Sequence, residues 1–594
     1  MVNGGDIPVV EIQGRPHELE YTEEPAMDIV EAYQAYSAGE QKALIFVDGK
    51  RSIDDTIYKF KRSLSKDELE LTRFYKLHAK ISDRAREAIF SMQLAPGEKA
   101  IIVSTSAGQS GITIPGLGLV ITSGLTKSPE LDKEGAPGLP PRLCTQAEII
   151  QQGGRAGRDV SGGRCILARP LNYNMPRNTD NELYQFSPLE ERTPDMPPEI
   201  YHSNISRNIL AASVLGEDFF ALNDYLKNSV SQASIADSYE LLHNLGAVDD
   251  EYQATDLGRT MDIFPLRPEL SRAAAEIIHS KKLSIQAHTL AIASAIEAGG
   301  LADFDTGHGG WKHHLRGSTD DDFIAQLDLM LASREFFRGT SVDETELRRM
   351  SLDPKNVYRA HRQFDKMCRL IGLDPRDIDL SDPTPNDEEE LHRIFLAGMP
   401  ELLYEKKATI RHRGQYENIW GYDEGIRREI SDRSLLSSMG QSAVRLVAGY
   451  PRWYIDGYNE RHNIVEMGFV TSKDQIRSVL GHLALQDLSS SIRGGQLIRH
   501  GREKLGALQL GTINAFEGKT RTGEECRQLV DTMLLADTPA VHMLRDIGVD
   551  EAVIRAEGLR AANNAGSVDE LDSRMWGVVA EHQPSSTSVH GHKS

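Results

Sequence analysis

Residues 145–168 read TQAEIIQQGGRAGRDVSGGRCILA, and this stretch encodes a helix, a glycine-rich loop and a strand in succession. Thr145, followed three residues later by Glu148, has the capping-box pattern that opens a helix. Gly153–Gly154 predict the end of that helix. The apolar run Cys165–Ala168 is typical of a buried strand. Helix, exit loop and strand in this order predict the edge of an α/β sheet, where ligands are commonly bound.

The loop between helix and strand carries two arginines, Arg155 and Arg158, and follows Gln151. A guanidinium is a permanently charged planar fork that matches phosphate oxygens, and glycines let backbone and ligand approach closely. An arginine presented across an interface stabilises charge in phosphoryl transfer. The motif therefore indicates contact with the terminal phosphate of a nucleotide held by another surface. The alternative is a surface loop held by salt bridges.

Residues 1–172 predict alternating strands and helices. Apolar runs at Ala43–Val47, Ile101–Val103 and Leu119–Ile121 suit strands that are buried on both faces of a parallel sheet. Residues 85–92 show apolar side chains at helical spacing after Ser82, which is placed to cap that helix. The alternation predicts a doubly wound parallel sheet.

The composition and hydrophobic pattern of the rest of the chain change several times. These changes predict a multidomain protein with α/β, mainly helical and small β-barrel parts. Residues 173–198 are polar and proline-rich, as in a linker. The pattern is mainly helical over 199–400, β-like over 401–510 and helical again over 511–582. The polar tail 583–594 predicts disorder.

Composition limits the compartment and the partners. The sequence has no apolar run of about 18 residues for a membrane span, and no secretory signal. Four scattered cysteines fit a reducing cytoplasm and predict neither a disulfide framework nor a metal site. A formal net charge of −21 means that nucleic acid would need a local basic surface.

An ordered series of motifs resembles the C-terminal half of DEAH-box helicases of superfamily 2. Residues 6–15 are similar to the segment that joins the two motor lobes of this family, and 43–49 resemble its motif IV. Residues 104–114 fall where motif V belongs, and 151–158 where motif VI belongs. Further likenesses follow at Pro198–Ile200, Leu245–Ala247, Thr255–Arg259 and Phe264–Pro268.

The resemblance implies a domain order and a set of roles. It implies a second RecA-like lobe (1–172), a winged helix (199–268), a helical ratchet-like domain (269–400), an OB-like domain (401–510) and a helical extension. By carry-over, the catalytic residues would be Gln151, Arg155 and Arg158, with Arg158 as the direct arginine finger. The nucleotide would also contact Gln109, Thr113, Gly154 and Gly157, and Thr105 and Ser106 would bind the nucleic-acid backbone.

A second candidate surface comes from the residues themselves. Basic side chains at Lys406, Lys407, Arg411 and Arg413 lie close in sequence to Tyr416 and Trp420. Cations with stacking rings suit single-stranded nucleic acid, whereas the alternative is an ordinary charged surface.

Four positions depart from the family pattern. Ser106 stands for asparagine, Gln109 for glutamate, Gln152 for arginine and His202 for arginine. Each change removes a charge or shortens a polar side chain, so coupling between nucleotide and strand is put in doubt.

The sequence contains no Gly-x-x-x-x-Gly-Lys-[Ser/Thr] P-loop; Gly518-Lys519-Thr520 comes closest, but Ile513 stands where a glycine is needed. No Asp-Glu pair follows a buried strand. We therefore expect a composite site for ATP, with Mg²⁺ held mainly by a first lobe on a separate chain or upstream segment, and no activity of this chain alone. The family resemblance favours RNA over DNA as the strand. The alternatives are a non-catalytic nucleic-acid-binding or scaffold protein, and a truncated gene model.

Overall fold

The computed structural model describes residues 18–582, apart from 110, 133, 160–161, 172–184, 197, 199, 201–203, 227–228, 305–308, 317–320, 379, 381–382, 411–412, 420–424, 439–443, 457–459, 494–495, 516–522, 563–564 and 566–567. The chain forms two compact units. The first comprises residues 1–418 and 425–470, and the second comprises 419–424 and 471–594.

The first unit begins with an α/β domain whose described residues form ten strands and five helices. The strands are Leu19–Asp28 (β1), Lys42–Phe46 (β2), Thr72–Leu77 (β3), Lys99–Ser104 (β4), Leu119–Thr122 (β5), Leu125–Lys127 (β6), Glu130–Leu131 (β7), Pro137–Gly138 (β8), Pro141–Leu143 (β9) and Gly163–Arg169 (β10). The helices are Ile29–Tyr36 (α1), Lys50–Ser63 (α2), Lys66–Glu70 (α3), Asp83–Phe90 (α4) and Gln146–Gly153 (α5).

Six of these strands form a wholly parallel sheet in the order β1-β10-β5-β2-β4-β3. The predicted runs at 43–47, 101–103 and 119–121 are its central strands, and their side chains are buried on both faces. Burial on both faces explains why these strands read as continuous apolar runs rather than as alternating patterns. The parallel sheet predicted from the sequence is confirmed.

Two helix starts were predicted from local chemistry, and both are present. Ser82 accepts a hydrogen bond from the backbone of Ala85 at the start of α4. At α5 the Thr145 hydroxyl accepts from the Glu148 amide while the Glu148 carboxylate accepts from the Thr145 amide. The capping box therefore fixes where α5 begins.

Ten helices follow among the described residues of the first unit. They are Ser206–Val214 (α6), Phe219–Asn223 (α7), Gln232–Asn244 (α8), Asp256–Asp262 (α9), Pro268–Glu276 (α10), Leu283–Glu297 (α11), Asp322–Ser333 (α12), Glu344–Arg349 (α13), Pro354–Leu370 (α14) and Pro385–Ala397 (α15). Helices α6 to α9 share one apolar core, and an antiparallel bridge joins Val248 to Ala254 between α8 and α9.

A five-stranded closed barrel completes the first unit. Its strands are Leu403–Ile410 (β11), Arg413–Asn418 (β12), Arg428–Ile430 (β13), Leu446–Ile455 (β14) and Arg461–Val470 (β15). They pair in the order β11-β12-β13-β15-β14, and β14 pairs back onto β11 to close the barrel.

The β7–β8 hairpin of the α/β domain adds to the edge of this barrel at β14. The guanidinium of Arg428, which is fully buried, places Nη2 2.9 Å from both Asp132 Oδ2 and Glu134 Oε2 of the hairpin. The indole of Trp453 donates to the carbonyl of Ala136 at 3.2 Å. The hairpin therefore joins the α/β domain to the barrel through a buried ionic contact.

The second unit has a sheet and helices of its own. Its helices are Lys473–Leu480 (α16), Gly523–Leu535 (α17), Pro539–Asp546 (α18), Glu551–Ala562 (α19) and Val568–His582 (α20). Strands Leu485–Arg493 (β16), Gln496–Leu505 (β17) and Leu508–Ala515 (β18) form an antiparallel sheet. The β-like span predicted over 401–510 thus covers both the barrel and most of this separate sheet.

Within the described residues, no helix combines the length and the apolar character needed to cross a membrane.

Candidate functional site

Helix α5 brings two glutamines from distant parts of the chain into contact. Gln151 lies on the exposed side of the last turn of α5, and Gln109 lies just after the loop that follows β4. The Gln109 Nε2 donates to Gln151 Oε1 at 2.9 Å. The structure therefore joins the motif V and motif VI segments through side chains predicted to face the nucleotide.

The arginine loop approaches the same motif V segment. Arg155 is 8% exposed, and its Nη1 donates to the Ile112 carbonyl at 2.7 Å. Arg158 is exposed and donates through Nη1 to Thr113 Oγ1 at 3.0 Å and, more weakly, to the Ile112 carbonyl at 3.4 Å. Two side-chain contacts, Gln109 with Gln151 and Thr113 with Arg158, thus join the motif V segment to the motif VI segment. Gln151, Thr113 and Arg158 are exposed, whereas Gln109 and Arg155 are buried.

The electrostatics of the two arginines favour an anion. Burial, and then the neighbouring charge of Arg158, lower the pKa of the Arg155 guanidinium. The Arg155 Nε is buried and has no hydrogen-bond partner among the described residues. Phosphate oxygens would reduce the repulsion between the two guanidinium groups. They would also offer an acceptor to the buried Nε of Arg155.

The structure gives reasons for glycine at two positions of the loop that do not depend on a ligand. Gly157 has a φ of +67°, and a Cβ there would stand 2.9 Å from the backbone nitrogen of Gly163. Gly154 caps the C-terminal end of α5. Close packing against β10 therefore explains Gly157 without a ligand, and nucleotide contact by either glycine stays a prediction.

The surroundings of Gln152 explain why this residue departs from the family pattern. Its side chain is buried, accepts a hydrogen bond from Thr122 Oγ1 at 2.6 Å and donates to Cys144 Sγ at 3.7 Å. The residue faces the sheet while its neighbour Gln151 faces outward. An uncharged side chain at this position is therefore compatible with burial, where a charge would need a partner.

The strand-binding candidates Thr105 and Ser106 follow the carboxyl end of β4. Thr105 Oγ1 accepts from the Ala107 amide at 3.4 Å, and Ser106 is exposed. Because Gln109 is three residues further on, this loop connects the carboxyl edge of the sheet to the surface around Gln151.

Sequence reasoning missed a basic cluster at the same edge. Lys50 begins α2 directly after β2, and Lys76 and His78 lie at the end of β3, next to β4 in the sheet. Burial lowers the pKa of the His78 imidazole first, and the charges of Lys50, Lys76 and Lys355 lower it further. Lys50 and Lys76 therefore both lie near His78, although 26 positions separate them in the sequence. Asp54 pairs with Lys76 and partly offsets its effect on the pKa of His78.

The basic patch predicted on the barrel is placed only in part. Lys406 and Lys407 lie on β11, with Lys407 exposed and paired with Glu405, and Arg413 begins β12. The prediction that Tyr416 is available for stacking is wrong, because that ring is 3% exposed and its hydroxyl donates to the Val444 carbonyl.

Some predicted positions lie outside the described residues. They are 6–15, His202, Arg411, Trp420 and the tail 583–594.

One group of side chains has a spacing suited to a cation. Asp456, Glu460 and His462 each offer a ligand atom within 4.8 Å of the others at the turn between β14 and β15. His462 is already hydrogen-bonded to Asp456 at 3.1 Å and stacks on Tyr454. These contacts account for the grouping without a metal.

Comparison with known proteins gives two family matches. Residues 27–160 match the helicase conserved C-terminal domain, and residues 238–266 match the winged-helix helicase-associated domain HA2. The first match contains the whole of the candidate site.

Curated relatives and solved structures agree with these matches. The chain is 29% identical to the pre-mRNA-splicing factor ATP-dependent RNA helicase prp22 of Schizosaccharomyces pombe over 48% of this chain and 24% of that protein. It is 26% identical to the ATP-dependent RNA helicase HrpA of Escherichia coli over 66% of this chain and 30% of that protein. The fold is similar to that of the E. coli DExH-box NTPase HrpB, with a TM-score of 0.56, 14% sequence identity and coverage of 96% of this chain and 65% of that one.

These relatives are much longer than the regions they share with this chain, which span 24% and 30% of their lengths. The matched domains, the order of the motifs and the fold all agree with one part of that family. The chain is therefore homologous to the C-terminal half of DEAH-box helicases.

Proposed function

We propose that this chain is the C-terminal motor half of an ATP-dependent DEAH-type helicase that acts on nucleic acid, RNA rather than DNA. It would offer Gln151, Arg155 and Arg158 to a composite ATP site. The P-loop and the acidic pair of that site would be supplied by a first lobe on another chain or on an upstream segment. The observation that carries the proposal is the pair of side-chain contacts that join motif V to motif VI, Gln109 with Gln151 and Thr113 with Arg158.

The proposed roles follow from exposure and charge. Arg158 is accessible and would contact the γ-phosphate in the transition state, where its fork matches the equatorial oxygens. Arg155 is buried and would contribute a nearby positive charge while holding the motif V segment through the Ile112 carbonyl. Gln151 would orient the attacking water or the γ-phosphate.

A strand would bind along the carboxyl edge of the sheet. Thr105 and Ser106 offer hydroxyls there, and Lys50 and Lys76 supply positive charge beside a His78 imidazole that is neutral near pH 7. Hydroxyls and cations bind phosphates without reading sequence, so this surface would tolerate any base order. It also supplies the local basic surface that a chain of net charge −21 requires.

The test is strand-stimulated ATP hydrolysis by the purified chain mixed with a P-loop-bearing first lobe. Arg158→Ala should lower kcat by about 10³-fold, the lower end of the range for arginine fingers. Arg86→Ala is the matched control, because this arginine of the same domain has a side chain that is 42% exposed and a pairing with Asp83 that is 3.7 Å long. Full activity of Arg158→Ala in an active mixture would show that the finger role is wrong.

Strand binding separates this function from the non-catalytic alternative. Single-stranded RNA should bind with an affinity that falls as salt rises, and Lys76→Ala should reduce both the affinity and the salt dependence. Tight strand binding with no ATP hydrolysis in any first-lobe mixture would instead favour a binding or scaffold protein.

A further inference from the structure

The second half of the predicted linker lies against the α/β domain. Residues 186–194, here named the strap, include a short 3-10 turn at Leu189–Glu191. Phe186 and Leu189 pack against the buried side chains of Cys144, Ile149 and Leu167, which lie before, on and behind α5. The Leu189 amide also donates to Glu23 Oε1 on β1 at 2.7 Å. The strap is therefore part of the domain rather than a free tether.

The strap supplies hydrogen-bond acceptors to the start of α5. The first amides of a helix have no partner within the helix. Here the Gln146 amide donates to the Thr193 carbonyl at 2.9 Å, and the Ala147 amide donates to the Pro194 carbonyl at 3.0 Å. The Gln146 side chain also donates to the Arg192 carbonyl at 3.0 Å. Main chain and side chain thus bind α5 to the strap at its N-terminal end.

Arg192 fixes the strap to the sheet. Its guanidinium is buried, and donates to the carbonyls of Gly124 at 2.7 Å, Cys144 at 3.1 Å and Ser187 at 3.0 Å. A Cβ at Gly124 would lie 2.5 Å from Arg192 Nη2, so the glycine makes room for this side chain. Its neighbours are carbonyl dipoles, and burial lowers the pKa of Arg192. A buried cation held by three carbonyls is costly to disturb and specifies one position of the strap.

The position of α5 decides the geometry of the candidate site. An α5 of eight residues is about 12 Å long at 1.5 Å per residue, and a helix this short gets its orientation from packing. A tilt at Gln146 would therefore move Gln151 relative to Gln109, along with the arginine loop after it. The strap leads to α6, which begins at Ser206, so it lies on the path from the winged-helix region to the arginine loop.

We propose that the strap positions α5 for nucleotide chemistry, with Arg192 and Gln146 as positioning residues, and this rests on the proposed function. Displacement of the downstream helices would act on the arginine loop through these two side chains. Arg192 touches no part of the candidate site, so its effect would reach the site only through α5.

Amide hydrogen exchange of the full chain tests the positioning without any nucleotide. Arg192→Gln should raise exchange in peptides covering 146–158 by about tenfold, because its three carbonyls lose a charged donor. Gln146→Ala should raise the exchange rate of the same peptides by a smaller factor. The exchange rate in Arg192→Lys should lie between those of wild type and Arg192→Gln. Peptides covering β2 and β4 should be unchanged. Arg62→Gln and Gln34→Ala are matched controls on the exposed surface of the same domain.

The composite ATPase then tests the consequence. Because the first lobe would hold most of the nucleotide, Arg192→Gln should lower kcat about tenfold and leave KM for ATP within about twofold. Unchanged exchange over 146–158, or faster exchange across the whole domain, would refute the claim that the strap positions α5. Faster exchange with an unchanged kcat in an active mixture would overturn its role in the site. Absence of ATPase in the wild-type mixture would refute only the proposed function. Amide exchange would still test whether the strap positions α5.

Discussion

Replacing Arg428 with methionine should separate the β7–β8 hairpin from the barrel. The wild-type guanidinium is fully buried between Asp132 and Glu134, whose side chains are only 2% and 3% exposed. Methionine fills similar space but leaves two buried carboxylates without their cation. Breaking a buried ionic contact in this way costs roughly 3–5 kcal/mol.

The remaining contacts place the cost at the lower end of that range. Asp132 also accepts from the Glu134 and Ala136 amides at 3.0 and 2.9 Å, and Arg461 Nη2 lies 3.5 Å away. Glu134 accepts from the Ile426 amide at 2.6 Å. We expect a local loss of about 3 kcal/mol, which corresponds to roughly 150-fold faster exchange where opening is local.

Local amide exchange is the suitable assay, because a chain of several domains does not unfold in one step. Peptides covering β13 and the β7–β8 hairpin should exchange faster in Arg428→Met. The control is Arg427→Met, since that neighbouring side chain is 62% exposed and pairs with Glu417 on the surface. Adding Asp132→Asn and Glu134→Gln to Arg428→Met should recover most of the loss, because no unpaired charge remains. Equal exchange in the two single variants would refute the reasoning.

Three further outcomes follow from local geometry. Gly157→Ala should lower composite ATPase activity and soluble yield more than Gly162→Ala. Both glycines have a positive φ, but of the two only Gly157 has backbone atoms where a Cβ would lie. Equal effects of the two substitutions would contradict this. Burial raises the pKa of Asp322 to about 6 from 3.8, so the folded state keeps a proton that the unfolded state has lost. Stability from this group is present below about pH 4 and is lost as pH rises towards 6. Amide exchange in peptides covering α12, compared between the two proteins at each pH, should show Asp322→Asn gaining stability relative to wild type across that interval. Burial raises the pKa of Cys144 and Cys368 to about 12, so neither thiol should react with iodoacetamide at pH 8 until the protein is unfolded.

The elements that could be predicted are those whose signals are local. The runs at 43–47, 101–103 and 119–121 are buried on both faces, so their sequence alone indicates central parallel strands. The capping box at Thr145 places the start of α5 to the residue. Both signals depend on side chains within a few positions of one another, which is the range that a sequence pattern can report.

The contacts that could not be predicted join distant segments. Gln151 and Gln152 are adjacent and identical in type, but only the pitch of α5 decides that one faces Gln109 and the other faces Thr122. Tyr416 reads as a surface aromatic beside basic residues, but barrel closure buries it. A single sequence carries no signal for such pairings, since each depends on how the sheet and barrel close.

Two arrangements in the site bear on how nucleotide and strand could be linked. Arg158 is exposed, and its donors to Thr113 and the Ile112 carbonyl are of moderate length, so a phosphate with full negative charge would compete well for them. The segment that would be released belongs to the same loop that carries Thr105 and Ser106 at the carboxyl edge of the sheet. Because Gln109 also holds that loop to α5, the contacts with Arg158 and the proposed strand-binding residues lie at two ends of one stretch of chain. A change at the arginines can therefore reach the proposed strand-binding residues through these hydrogen bonds and then along the loop, and the departures at Ser106 and Gln109 lie on that path.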